Sequence, residues 1–136
     1  MKKEICGSII ELTVDDLGGC ALFWDIPSKL ADPIQSGEKN AFAYKIGDSL
    51  VGGCVLSIKD DCGHFSYFAV SPDFRRKGIG SNLLKFAEKY FREMGFSKMR
   101  LHVDKSNYAA IKLYERKGFA YERDATIERI VMIKAL

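Results

Sequence analysis

A short basic segment followed by two glycines is the part of this sequence with the clearest chemical potential. Residues 75–80 read Arg-Arg-Lys-Gly-Ile-Gly, between an apolar segment that ends at Val70 and an amphipathic one that begins at Ile79. The first N–H groups of a helix have no internal partner and lie at the positive end of the helix dipole, and glycine lets a ligand approach the backbone closely. This order of features predicts a site for a phosphate-rich anion.

Two familiar phosphate-binding patterns do not fit this segment. A P-loop requires Gly-Lys directly before its Ser or Thr, whereas Ser81 follows Ile-Gly. The dinucleotide-binding fingerprint requires a third glycine at the position of Leu83. The pattern that remains is Arg75-x-x-Gly78-x-Gly80, placed between a predicted strand and a predicted helix.

A second pattern, Asn107-x-x-Ala110-x-x-x-Tyr114-x-x-x-Gly118-Phe119, follows further along the chain. Asn107 and Tyr114 are separated by about two helical turns, so they share one face of a helix. The small Ala110 between them leaves room for a thin, flexible ligand. From spacing alone two interpretations stay open: a helix cap with a packed aromatic ring, or two ligand contacts.

Together the two patterns resemble those of the GNAT N-acetyltransferase superfamily, over about residues 64–121. Members of that family carry Arg/Gln-x-x-Gly-x-Gly/Ala followed by Asn-x-x-Ala-x-x-x-Tyr-x-x-x-Gly-Phe, and both patterns occur here in that order. The resemblance implies an α+β (mixed α/β) fold, the GNAT acyl-CoA N-acyltransferase fold. Its central sheet is mixed, mostly antiparallel, with about seven strands and about four flanking helices. One N-acetyltransferase domain is expected over residues 1–136.

The resemblance also implies how acetyl-CoA, the expected co-substrate, is held. Backbone groups of Phe68, Ala69 and Val70 would pair with the pantetheine arm, which Asn107 would also bind. Tyr114 would lie near the sulfur and donate a proton to the leaving thiolate. The loop residues expected at the pyrophosphate are Arg75, Arg76, Lys77, Gly78, Ile79, Gly80 and Ser81.

The implied reaction moves an acetyl group to a primary amine, on a small molecule, a peptide α-amine or a lysine, by direct attack. A backbone N–H such as that of Phe68 would stabilise the oxyanion. Many family members place a carboxylate or carboxamide base two residues before Ala69, where this chain has Tyr67. The base is therefore open between His64, His102 and water, and a catalytically silent acyl-CoA sensor is the alternative function.

The charge of +3 is distributed unevenly. Residues 11–40 hold six acids against two bases, −4, and residues 71–117 hold twelve bases against five acids, +7. This asymmetry predicts a cationic half for an anionic cofactor and an acidic half for a cationic acceptor. A nucleic-acid binder is disfavoured, because Phe86, Tyr90 and Phe91 fall on an apolar helix face and not among the bases.

The composition, 47% hydrophobic and 29% charged, is that of a globular protein. With no export signal or apolar run of membrane-spanning length, a cytoplasmic protein without a membrane partner is expected. The cysteines at 6, 20, 54 and 62 form no C-x-x-C pair, which favours reduced thiols and no metal over a zinc site or a nucleophilic cysteine. A homodimer is left open.

Hydrophobic periodicity predicts the elements that must position these residues. The helix at 79–94 between strands at 64–70 and 98–103 makes a βαβ unit, so those two strands should be parallel. Gly52-Gly53 inside a strand predicts a bulge or a close contact. The remaining expected strands are 4–13, 41–46, 50–58, 119–123 and 127–133, and the remaining helices are 14–17, with Thr13 as its cap, 28–34 and 106–117.

Overall fold

The computed structural model describes residues 7–20, 24 and 28–136 of the chain. The strands are β1 (Ser8–Leu12), β2 (Lys39–Ile46), β3 (Ser49–Lys59), β4 (Cys62–Val70), β5 (Lys98–Asp104), β6 (Ala120–Asp124) and β7 (Arg129–Ala135). The α-helices are α1 (Ala31–Ser36), α2 (Ile79–Glu93) and α3 (Tyr108–Arg116), and 3₁₀ helices cover Val14–Cys20, Ser28–Leu30 and Pro72–Phe74. Residues 4–6 of the first expected strand lie outside the described residues.

The seven strands form one sheet in the order β1-β2-β3-β4-β5-β7-β6. Neighbouring strands are antiparallel except β4 and β5, which are parallel. The predicted βαβ unit and the mixed, mostly antiparallel sheet are therefore confirmed. Among the described residues the helices differ from expectation in type, because the first expected helix is the 3₁₀ helix Val14–Cys20.

At the start of that first helix, the Thr13 N–H and hydroxyl both donate to the Asp16 carboxylate, at 2.8 and 2.9 Å. An acid three residues after the cap that accepts from the backbone N–H of the capping residue forms half of a capping box, which agrees with Thr13 as the cap. These hydrogen bonds favour the charged carboxylate and lower the pKa of Asp16. A side chain that bonds back to the preceding backbone holds a tight turn, which suits the 3₁₀ geometry observed.

Helix α2 packs along one face of the sheet through its apolar stripe. Leu83, Leu84 and Phe91 are almost wholly buried there, and each such side chain contributes about 1.5–3 kcal/mol. Two glycines let the helix lie close: a Cβ at Gly63 would come 2.5 Å from the Phe91 ring, and one at Gly52 would come 2.9 Å from Ile79. Of the two predictions made for Gly52, a bulge or a close contact, the structure shows the close contact, with Ile79 of α2.

The opposite face of β1 to β4 is covered by a smaller cluster around Trp24 and Leu30. The Trp24 ring lies against Gly53, where an added Cβ would come 2.6 Å from the indole. Its Nε1 donates a hydrogen bond to the Tyr67 carbonyl. The close contact expected at Gly53 is therefore confirmed, and it joins residue 24 to the middle of β4.

The turn between β3 and β4 holds two aspartates in the left-handed region, Asp60 at φ +54° and Asp61 at φ +56°. This conformation strains side chains other than glycine. We expect Asp61→Gly to stabilise the protein by about 0.5–1 kcal/mol, seen as a higher Tm in thermal unfolding. Asp48→Gly is the matched control, because Asp48 in the preceding turn has no positive φ. A Tm that does not rise in Asp61→Gly contradicts the strain argument.

Candidate functional site

Strands β4 and β5 separate in the middle of the sheet. They are paired only at Gly63–Met99, His64–Arg100 and Phe65–Leu101, although β4 continues to Val70 and β5 to Asp104. Beyond these pairs β5 keeps its full register with β7. A wedge-shaped opening therefore begins after residue 65 on β4.

A β-bulge lies at the start of this opening. One β3 residue, Cys54, lies opposite two β4 residues, Tyr67 and Phe68. Tyr67 has φ +50°, a strained value for a tyrosine. Bulges bend a strand and redirect its side chains: Phe68 packs on the α2 side, whereas Tyr67 packs with the Trp24 cluster. A bulge was expected at Gly52-Gly53 on β3. The observed bulge lies next to Gly53, but the extra residue belongs to the neighbouring strand β4.

A cavity of about 770 Å³ occupies the opening. It is lined by Phe68 and Tyr114, which pack with the α2-side core, and by His64 and His102 from the opposite face. The cavity therefore reaches both faces of the sheet through the gap between β4 and β5.

Tyr114 projects from α3 into this site. It is 5% exposed and its ring centroid lies 6.5 Å from that of Phe68 and 5.8 Å from that of Phe119. Burial raises its pKa to about 12. The hydroxyl is therefore neutral and carries its proton throughout the neutral range.

Asn107 takes the helix-cap role and also lies at the cavity. Its side-chain oxygen accepts from the Ala110 N–H at 3.2 Å, which caps α3. The residue also lines the cavity. The cap fixes the asparagine at the edge of the opening, two turns from Tyr114 on the same helix.

The start of α2 is uncapped and electropositive. Gly78 precedes the helix at φ +83°, no described side chain caps it, and its first turn holds no acid. The first helical hydrogen bond runs from the Asn82 N–H to the Gly78 carbonyl at 3.0 Å, so the N–H groups before it lack an internal partner. Arg76 and Lys77 are exposed beside them.

Gly80 brings this helix start against the end of β4. A Cβ on Gly80 would come 2.8 Å from the Phe68 ring. On the other side of the loop, Arg75 Nε donates to the Val70 carbonyl at 3.2 Å. The predicted segments 68–70 and 75–81 therefore lie next to each other, and the Phe68 ring lies between Gly80 and Tyr114.

His64 and His102, whose positions the sequence did not specify, both line the cavity. His64 Nε2 is buried and has no hydrogen-bond partner among the described residues. Burial lowers the pKa of His64, with further contributions from His102, Arg100 and Lys59. Burial likewise lowers the pKa of His102, and Arg129, Arg123 and Lys59 add to the effect. Both imidazoles therefore favour the neutral form.

The cysteine-based alternatives gain no support within residues 7–20, 24 and 28–136. Cys54 and Cys62 are free and buried, and burial raises the pKa of both thiols, which disfavours a nucleophilic thiolate. No group of three or more His, Cys, Asp or Glu residues in these ranges could hold a metal ion. Cys6 lies outside the described residues.

The aromatic residues that could have stacked on bases belong to the core. Phe86 and Tyr90 lie 4.8 and 5.5 Å from Phe42, measured between ring centroids, and Phe91 is wholly buried. Phe86 and Tyr90 are partly buried against that core, so the three rings contribute to packing. None of the helices in the described part of the chain combines the length and apolar composition needed to cross a bilayer.

Comparison with known proteins agrees with this geometry. Residues 10–119 match the Acetyltransferase (GNAT) family. Over 61 residues the chain is 43% identical to the [ribosomal protein bS18]-alanine N-acetyltransferase of Escherichia coli, covering 45% of this chain and 39% of that protein. It is 32% identical over 95 residues to human N-alpha-acetyltransferase 30, covering 66% of this chain and 26% of that one. The chain spans about a fifth to two fifths of the curated relatives it matches.

Solved structures share the fold along nearly the whole chain. The E. coli ribosomal-protein-S18-alanine N-acetyltransferase superposes with a TM-score of 0.80 at 23% identity, covering 96% of this chain and 94% of that one. The PaiA N-acetyltransferase of Thermoplasma acidophilum, in complex with coenzyme A, gives 0.79 at 19% identity, covering 96% and 99%. With the family match over residues 10–119, the conclusion is that this chain belongs to the GNAT acetyltransferase family.

Proposed function

We propose that the protein is an acetyl-CoA-dependent N-acetyltransferase that acts on a primary amine. The observation that carries the proposal is the continuous path from the uncapped start of α2 to the opening between β4 and β5, where Phe68 and Tyr114 meet. A diphosphate suits the helix start, and an extended arm suits the unpaired strand edge. Family membership and the coenzyme A bound to the PaiA neighbour support the same reading.

Different residues of this chain hold the pyrophosphate and the pantetheine arm of acetyl-CoA in this proposal. The N–H groups at residues 76–81 hold the pyrophosphate, with Arg75, Arg76 and Lys77 supplying positive charge. The backbone of residues 68–70 pairs with the pantetheine arm where β5 has separated from β4. Asn107 bonds the same arm from the opposite side of the opening.

The chemistry then follows from two groups. The Phe68 N–H stabilises the negative charge that develops on the thioester oxygen as the amine attacks. Tyr114 donates its proton to the sulfur as the carbon–sulfur bond breaks. Burial raises the pKa of Tyr114 to about 12, so the hydroxyl keeps its proton until the thiolate leaves. The proton lost by the amine passes to water, because His64 lies about 13 Å from Phe68 along β4.

Thiol release tests this proposal. The protein is incubated with acetyl-CoA and a panel of primary amines, and free coenzyme A is measured with a thiol reagent. We expect amine-dependent release and a rise in Tm on adding acetyl-CoA. If the Tm rises without release for any amine, the protein is the catalytically silent acyl-CoA sensor. If neither occurs, both functions are wrong.

A further inference from the structure

The face of the sheet opposite α2 carries a polar row across three strands. Lys39, Ser57 and His64 lie directly opposite one another on β2, β3 and β4. Neighbouring strands are about 4.8 Å apart, so the three side chains adjoin. Lys59 lies two residues beyond Ser57 on the same face, and all four residues line the cavity.

The two lysines of this row differ from the two arginines nearby, because only the arginines have ion-pair partners among the described residues. Arg129 is paired with Asp104 at 3.4 Å, and Arg100 with Glu122 at 2.8 Å. Lys39 and Lys59 form no ion pair among the described residues. The remaining acid that lines the cavity is Glu38, which also lines a separate cavity beside α2.

The pKa shifts of the two histidines also indicate a positive electrostatic potential at this end of the cavity. Positive neighbours are among the causes that lower the pKa of His64 and of His102, and Lys59 acts on both. Asp60 acts on His64 in the opposite sense, as the last of its causes. This end of the cavity is therefore electropositive. The cationic acceptor expected from residues 11–40 finds no support here, because the described part of that segment contributes Glu38 and Lys39 to the lining.

The row lies apart from the phosphate loop. His64 precedes Phe68 by four residues on β4, about 13 Å at 3.3 Å per residue, and it lies on the side away from the α2 start. An anion bound by the row is therefore not the coenzyme A diphosphate. It would lie at the other end of the cavity from that diphosphate.

Given the proposed function, we propose that the acceptor is an amine carrying an anionic group, a carboxylate or a phosphate. That group docks between Lys39 and Lys59 beside Ser57 and His64. The amine then points through the opening toward Phe68 and Tyr114.

A series of ω-amino carboxylates from glycine to aminooctanoate, each compared with its neutral amide, tests the proposal by thiol release. We expect kcat/KM to favour the carboxylate by about tenfold in the longer members, with little preference at glycine. The ω-aminoalkyl phosphates form a second arm and identify which anion is preferred. The proposal is overturned if kcat/KM for the long carboxylates and phosphates does not exceed that for the neutral compounds of the same length.

Charge reversal makes the test specific to the row. In Lys59→Glu we expect the preference to invert, so that a diamine of the same length exceeds the amino carboxylate. Lys85→Glu on the exposed side of α2 carries the same charge change and should leave the preference as in the parent. A preference that survives Lys39→Ala combined with Lys59→Ala assigns the anion to another surface and contradicts the proposal.

Binding gives a readout that does not depend on turnover. The chain has two histidines, so two imidazole C2–H resonances can be titrated by NMR. Aminooctanoate should raise the pKa of His64 relative to its amide, because a bound anion offsets the nearby cations. If thiol release fails for every amine but this shift occurs, the anion site stands and the proposed function is wrong. If the amine panel is acetylated without preference or shift, the anion site is wrong.

Discussion

Replacing Tyr114 with phenylalanine is expected to lower kcat by about 100- to 10,000-fold, the contribution usual for a positioned proton donor. The ring is packed against Phe68 and Phe119, and phenylalanine keeps those contacts. Coenzyme A affinity and Tm should therefore change little. Kinetics under saturating acetyl-CoA, together with calorimetric titration of coenzyme A, separate the loss of proton donation from a loss of binding.

Tyr121→Phe is the matched control, because Tyr121 is 60% exposed on β6 and its hydroxyl bonds Asp124. The pH profile gives a second check. With the pKa of Tyr114 at about 12, the parent enzyme should show no loss of activity from tyrosine ionisation up to about pH 10. A Tyr114→Phe enzyme with parent kcat means that water or another group protonates the thiolate.

Gly78→Asp is expected to weaken coenzyme A binding by about 2–3 kcal/mol, roughly 30- to 150-fold in Kd. An aspartate at this position sets a negative charge against the diphosphate, and its carboxylate can occupy the free N–H groups of α2. The substitution also strains the backbone, because Gly78 has φ +83°. Titration calorimetry with coenzyme A measures the affinity, and thermal unfolding measures the strain.

Gly95→Asp separates the two effects. Gly95 ends the same helix at φ +91°, and a Cβ placed there, like one placed at Gly78, would meet nothing within 4 Å. The strain and the charge change are thus alike, but the site is at the far end of α2. Gly95→Asp should lose stability and keep its affinity, and Gly78→Ala should lose affinity less than Gly78→Asp. Parent-like affinity in Gly78→Asp would place the diphosphate elsewhere.

Much of the fold could be predicted because the relevant signals are local. Helix α2 repeats its apolar residues with helical period, and Gly95 ends it. The alternation of Met99, Leu101 and Val103 defines the buried face of β5, and the helix before it requires a parallel pairing. These patterns need only neighbours within a few turns or residues, so a single sequence contains them.

The basic row proposed to bind the acceptor could not be predicted because it depends on register. Lys39 and Lys59 are distant in sequence, and their proximity follows from a hairpin whose pairing shifts between Tyr44 and Lys45. Alternation fixes which face a residue takes but not which residue lies opposite. Counting charge along residues 11–40 therefore suggests an acidic site, whereas the row formed by pairing is basic.

The bulge at Tyr67 escapes prediction for a related reason. Residues 67–70 are all apolar, so the sequence does not show where the alternation of faces changes, and the contact that accompanies the bulge comes from Trp24, far away in the chain. The glycine signal at Gly53 correctly indicates a close approach, but the indole it accommodates cannot be named from sequence. Long-range contacts of this kind decide where a strand bends.

The hydrogen bond from Trp24 to the Tyr67 carbonyl also makes the intrinsic tryptophan fluorescence sensitive to the position of β4. Trp24 is the chain's single tryptophan and is 3% exposed, so its fluorescence comes from one shielded indole. Any ligand that shifts the peptide after residue 67 changes the polarity around that indole. Stopped-flow emission can therefore time the arrival of any such ligand without a label.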